Sequence, residues 1–231
     1  MDRRQFVGST IAASVALFAA ANARSAESAG AAPLPRRDRV KVAFMLGDNT
    51  NVIDTAGPWE VFQDTVIDDG GHHRDAFELF TVAPKEGLLR MTGGLAVKPE
   101  YTIDNAPQPH VIVVPAQKST AESREWLKRA SAGTDVTMSV CTGAFQLARA
   151  GLLEGIPATT HHDYFEDFAK EFPDIELRRG LRFVDSGRIA TAGGLTSGID
   201  MALHIVSRYF GVKAAEATAT YMEYASDAWR G

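Results

Sequence analysis

Val136-Thr137-Met138-Ser139-Val140-Cys141-Thr142-Gly143-Ala144-Phe145-Gln146-Leu147-Ala148-Arg149-Ala150-Gly151-Leu152-Leu153 is the stretch on which the reading of this chain turns, and it holds the only cysteine in 231 residues. Val136 to Val140 is apolar enough for a short buried strand, and Ala144, Leu147, Ala148 and Gly151 recur at helical spacing. Cys141 therefore falls where a strand turns sharply into a helix. Ser139, two residues before it, and Gly143, two after, leave room for the close backbone approach of an elbow that lifts its central side chain out. The first helical turn offers unpaired N–H groups and the positive end of the macrodipole, and both favour thiolate over thiol. A reactive, locally activated thiol is the expectation. The alternative is a buried cysteine acting as small apolar packing.

Outward from the elbow the chain alternates. Val40 to Leu46 reads as a central first strand, Phe77 to Ala83 as a second, and Val111 to Val114 as a buried strand ending at Pro115. Pro58 suits an early helical position, and Trp59, Phe62, Val66 and Ile67 make an apolar stripe out to about Asp69, which leaves Asp54 in the loop before that helix. Asp54 there is also a candidate cap. Ser119 to Ser131 is a returning helix with Ser119 as its cap.

Beyond the elbow, Ala158 to His161 reads as a strand end and Asp163 to Phe172 as an amphipathic helix closed by Pro173. Leu181 to Val184 and Ile189 to Ala192 pair around a turn at Asp185-Ser186-Gly187. The loop Gly193 to Gly198 feeds a helix from Ile199 to Phe210, and Ala214 to Tyr224 makes a terminal one. This order argues for a flavodoxin-like α/β sandwich, a mostly parallel sheet with helices on both faces. Ligands of such sheets gather outside the carboxyl ends of the strands. Asp54, Ala116, Cys141, His161 and Thr196 all follow strand ends.

Composition narrows the function classes. With 29 acidic against 24 basic residues, the chain lacks the basic balance expected of a nucleic-acid binder. The length suits one α/β domain, placed at residues 39–231. Before it, Arg3-Arg4-Gln5-Phe6-Val7, an Ala-rich apolar run and Ala21-Asn22-Ala23 read as a twin-arginine signal peptide over residues 1–23. The apolar run falls short of the ~18 residues a membrane span needs, so cleavage would leave no stable anchor. Residues 24–38, rich in Ala, Ser, Pro and Arg, read as a disordered leader. The mature protein is expected in the periplasm, where a lone cysteine cannot form an internal disulfide.

His72-His73 and His161-His162 raise the question of metal. Adjacent histidines on extended chain point to opposite faces, and neither pair shows a completing ligand, so no metal and no cofactor is expected. The Gly193 to Gly198 loop does not have dinucleotide-fingerprint spacing.

Four motifs, Ile53-Asp54-Thr55-Ala56-Gly57-Pro58-Trp59-Glu60-Val61-Phe62, Cys141-Thr142-Gly143-Ala144-Phe145, Ala158-Thr159-Thr160-His161 and Thr191-Ala192-Gly193-Gly194-Leu195-Thr196-Ser197-Gly198-Ile199-Asp200, make Val40 to Tyr224 resemble the ThiJ/PfpI superfamily. The isocyanide (isonitrile) hydratases are the branch it most resembles. The resemblance implies Cys141 as nucleophile, Asp54 as its acidic partner, Thr142 beside it, and a pocket shaped by Ala116, Gln117, Gly57, His161 and Thr196. It implies a homodimer acting on a small-molecule substrate. Ala116-Gln117 stands where relatives carry Gly-Gly, and His162 where hydratase-like relatives carry Trp. Thr142, where family proteases have His, counts against peptidase activity. A cofactor-independent glyoxalase and a non-catalytic redox or ligand-sensing domain are the competing expectations. The fold serves as the sensor half of some transcription activators, whose helix-turn-helix tail is not expected in a sequence ending at Gly231.

Overall fold

The computed structural model describes residues 27–28 and 32–231. The expected signal peptide lies outside the described residues. Strands β1 (Glu27–Ser28), β2 (Val40–Met45), β5 (Phe77–Ala83), β8 (Tyr101–Thr102), β9 (Val111–Val114), β10 (Val136–Val140), β11 (Phe183–Asp185) and β12 (Ile189–Ala192) form one sheet in the order β1-β11-β12-β10-β9-β2-β5-β8. Every pairing in that sheet is parallel except β11 with β12, and β6 (Leu89–Arg90) pairs antiparallel with β7 (Ala96–Val97) outside it. Cys141 follows β10, the strand between β9 and β12, so the elbow opens at the centre of the sheet.

The period-2 alternation of strand side chains divides the core. Val42, Phe44, Val113, Met138 and Val140 face α1 (Val52–Gln63), α5 (Ser197–Phe210) and α6 (Val212–Tyr221). Ala43, Met45, Ile112 and Val114 face α2 (Ala121–Ser131), α3 (Gly143–Arg149) and α4 (Phe165–Glu171). The flavodoxin-like layering read from the alternation is the architecture observed.

Several local expectations need correction. Helix α1 begins at Val52, because the Asn51 side chain caps it by accepting from the Ile53 and Asp54 amides. Asp54 thus sits in the first turn of the helix and not in a loop before it, and Pro58 lies inside. The helix ends at Gln63 rather than Asp69. Val66 and Ile67 belong to a hairpin, β3 (Val66–Asp69) with β4 (His72–Asp75), turning at Gly70 and Gly71 with φ of 68° and 93°. Thr120, not Ser119, caps α2 in a reciprocal capping box with Ser123. Helix α5 starts at Ser197, two residues before Ile199.

Of the segment expected as a leader, residues 32–38 make contacts with the body of the domain. The Leu34 amide donates to the Arg208 carbonyl at 3.0 Å, and Arg208, ion-paired with buried Asp185, donates to the Ala32 carbonyl. Arg37 grips Asp135 through two hydrogen bonds of 2.6 and 2.8 Å. Composition could not reveal these long-range partners. Among the described residues no helix is long and apolar enough to cross a membrane.

Candidate active site

The elbow is strained. Cys141 has φ of 58°, a left-handed conformation that non-glycine residues rarely hold. Surrounding bonds keep it there. Its amide donates to the Gly193 carbonyl at 2.8 Å, and its carbonyl accepts from the buried Thr160 hydroxyl at 2.9 Å. At Gly143 an added Cβ would lie 2.0 Å from the Val114 carbonyl oxygen, so glycine alone lets α3 leave the strand so close to β9.

Asp54 is fully buried and reaches the same point from α1. Its Oδ2 accepts from the Ala116 amide at 3.1 Å. Its Oδ1 is buried and meets no partner in full hydrogen-bond geometry. The Cys141 thiol and the Leu195 amide lie close enough to pull the carboxyl pKa down without completing such a bond, yet burial outweighs them and pushes it up to about 6. Leu195 is itself left-handed, with φ of 54°.

The thiol shifts the other way from the expected activation. Burial first, then the Asp54 negative charge, push Cys141 up to about 12, against a smaller downward pull from the Thr142 amide and side chain. A short helix terminus does not outweigh burial together with the nearby Asp54 charge. Near neutral pH the resting pair is therefore a thiol beside a carboxylate, with the proton on sulfur.

Among the expected residues, Cys141, Asp54 and Thr142 come together, with Ala116 contributing its amide to Asp54. That amide is thereby committed, and the Thr142 amide is the one directed at sulfur. Gly57 lies where α1 crosses α5, with an added Cβ only 2.9 Å from Ile199 Cγ1, so it sets the closeness of the helix that carries Asp54. Gln117 is anchored by donating to the Met45 carbonyl at 2.7 Å, with its Oε1 3.1 Å from the Thr50 hydroxyl. Thr196 is exposed, and its hydroxyl accepts from Arg182 at 3.2 Å.

His161 is not among the groups that shift the Cys141 thiol. Its ring rests on the backbone at Gly194, where a Cβ would come within 2.1 Å, and burial lowers its pKa. Nor does the chain stay extended after it. Residues His162–Tyr164 form a 3-10 turn that stacks the two imidazoles 4.4 Å apart and brings Asp163 beside them. The sequence argument against a ligand set fails at this turn.

A cavity of about 640 Å³ opens beside the elbow, its wall including Gln117, Thr142, Phe145, Gln146, Arg149 and Tyr164. Cys141 is not on that wall; Thr142 is the elbow residue that reaches it. Aromatic faces and charged rim together suit a small molecule with an apolar body.

A strained cysteine after a central strand, paired with a buried carboxylate from the first helix, defines an α/β protein of the cysteine-elbow class. Residues 40–208 match the DJ-1/PfpI family model, and the chain belongs to that family. It is 30% identical to an isonitrile hydratase of Pseudomonas putida over 192 residues, 80% of this chain and 79% of that protein. It is 27% identical to the HTH-type transcriptional regulator GbdR of Pseudomonas aeruginosa over 83% of this chain and about half, 53%, of the regulator. A ThiJ/PfpI family protein from Pseudomonas syringae superposes with a TM-score of 0.71 at 25% identity, covering 84% of this chain and 78% of that one. Drosophila melanogaster DJ-1beta shares the fold, with a TM-score of 0.69 at 13% identity over 81% of this chain and 100% of the other.

Proposed function

We propose that the protein hydrates an isonitrile to an N-substituted formamide, with Cys141 as nucleophile and Asp54 as proton carrier. The observation that carries this reading is the buried pair itself, a thiol and a fully buried carboxyl on neighbouring elements close enough to shift each other's proton affinity, the carboxyl to about 6. Asp54 takes the thiol proton as sulfur bonds to the terminal carbon of R–NC, then delivers it to that carbon. The product is a thioimidate, R–N=CH–S–Cys141. Water adds to the same carbon, the C–S bond breaks, and the thiol is regenerated as R–NH–CHO leaves. No electrons are exchanged with an outside partner. The Thr142 amide, directed at sulfur, steadies the charge that develops there.

The raised thiol pKa and the likeness to a transcriptional regulator favour a second reading, a non-catalytic ligand-sensing domain. Product analysis separates the two. Incubation with an aryl isonitrile should give formamide with wild type and none with Cys141→Ser. Tight binding of the isonitrile with no formamide from either would favour the sensor. The proposal includes export by the twin-arginine route and a homodimer, supported by Arg3-Arg4-Gln5-Phe6-Val7 and by the family resemblance.

A further inference from the structure

We propose that His161, His162 and Asp163 bind one divalent transition-metal ion in the turn that leads into Tyr164. Each side chain offers a donor atom, and the three atoms lie within 4.8 Å of one another. His161 Nδ1 is 3.8 Å from Asp163 Oδ2, and His162 Nε2 is 3.1 Å from Asp163 Oδ1. A tetrahedral ion with bonds of about 2.0–2.1 Å sets its donors roughly 3.4 Å apart, so the His162 pair is slightly too close and the His161 pair slightly too far, each to a different oxygen of Asp163. Small side-chain rotations complete the site.

The arrangement is partly built in advance. The His161 ring is seated on Gly194, with its side chain 15% exposed. Its Nδ1 accepts the Asp163 amide at 3.2 Å, which places the ring proton on Nε2, and an ion taking the Nδ1 lone pair displaces that amide. His162 and Asp163 are about two-thirds exposed, at 67% and 68%, so an ion and its remaining water ligands enter without opening the fold. Two imidazoles and one carboxylate select zinc, copper(II) or nickel over calcium and magnesium, which prefer all-oxygen shells. The neighbouring Tyr164 lies on the cavity wall, 5.9 Å from the His161 ring. The other adjacent pair, His72-His73, lies on strand β4, where successive side chains face opposite ways.

Zinc calorimetry on the untagged full chain tests the site by binding alone, independently of turnover. One equivalent should bind to wild type. His162→Ala, at an exposed position that leaves the fold intact, should weaken binding by roughly a hundredfold or more, and Asp163→Asn by at least about tenfold. Cys141→Ser and the double variant His72→Ala, His73→Ala should bind as wild type does. The proposal is overturned by absence of saturable zinc binding, by undiminished binding in His162→Ala, or by loss of binding in Cys141→Ser or the hairpin variant.

Discussion

Replacing Asp54 with Asn should make the protein more stable and less active at once. Burial raises the carboxyl from 3.8 to about 6, so the folded state holds this proton more tightly than the unfolded chain does. The cost of ionising it is absent below pH 3.8, grows between 3.8 and about 6, and is fully present above. The gap corresponds to about 3 kcal/mol at pH 7.5 and about 1 kcal/mol at pH 4.5. Asn carries no such cost and can still accept the Ala116 amide through its carbonyl oxygen. Its own NH2 group meets the Leu195 amide, which returns part of the gain. A net stabilisation of about 1–3 kcal/mol at pH 7.5 follows, a rise in Tm of roughly 2–4 °C per kcal/mol. Isonitrile hydration should fall about 10²–10⁴-fold, since the proton carrier is gone. Urea unfolding of both proteins at pH 7.5 and 4.5 measures the first part. Equal destabilisation of Asp54→Asn at both pH values would refute the burial cost and show a carboxylate that the fold stabilises.

The same pair makes two further predictions, and the elbow glycine a third. Because Asp54 must be ionised to take the thiol proton, kcat/KM should rise through pH 6 to a plateau and stand about tenfold lower at pH 5; a profile flat from pH 5 to 8 counts against the role. Wild-type Cys141, held near 12, should react slowly with iodoacetamide at pH 7–8, and Asp54→Asn should react faster because the charge that holds the proton on sulfur is removed; an unchanged or lower rate contradicts the electrostatic coupling. Gly143→Ala drives a Cβ to 2.0 Å from the Val114 carbonyl and should cost more than about 3 kcal/mol or leave the protein insoluble, whereas a variant with wild-type urea midpoint would show that the elbow relaxes freely.

What the sequence conveys about this fold follows from what periodicity can encode. Apolar runs at Val40 to Leu46, Val111 to Val114 and Val136 to Val140 mark strands buried on both faces, and those strands centre the sheet. The Ser-x-Cys-x-Gly spacing marks the elbow because Gly143 has no room for a side chain. The hairpin at residues 66–75 carries a legible signal too, the Gly70-Gly71 pair between two short runs, but Val66 and Ile67 fit a helical stripe equally well. Asn51 is a cap whose effect on Asp54 depends on where the helix begins, a boundary that composition leaves loose.

The electrostatics of the site were the least accessible part. Local chain features point to a lowered thiol pKa, while the dominant influences come from far along the chain. Asp54 is brought to the thiol by α1, the Leu195 amide to the Asp54 carboxyl by a left-handed turn, and the Thr160 hydroxyl to the Cys141 carbonyl by the segment after α3. His161 and Asp163 are gathered by a 3-10 turn with no distinctive residue pattern. Such juxtapositions belong to tertiary packing, not to spacing in one stretch.

In the proposed reaction Cys141 forms and releases a covalent thioimidate during isonitrile hydration. The most direct test is peptide mass spectrometry on enzyme acid-quenched during turnover of p-nitrophenyl isocyanide, with formamide measured in the same samples. An adduct equal to the mass of the isonitrile should appear on the Cys141 peptide, accumulate before formamide and disappear when substrate is exhausted. Formamide produced equally by Cys141→Ser, or isonitrile bound by wild type with neither adduct nor formamide, would contradict the proposed reaction.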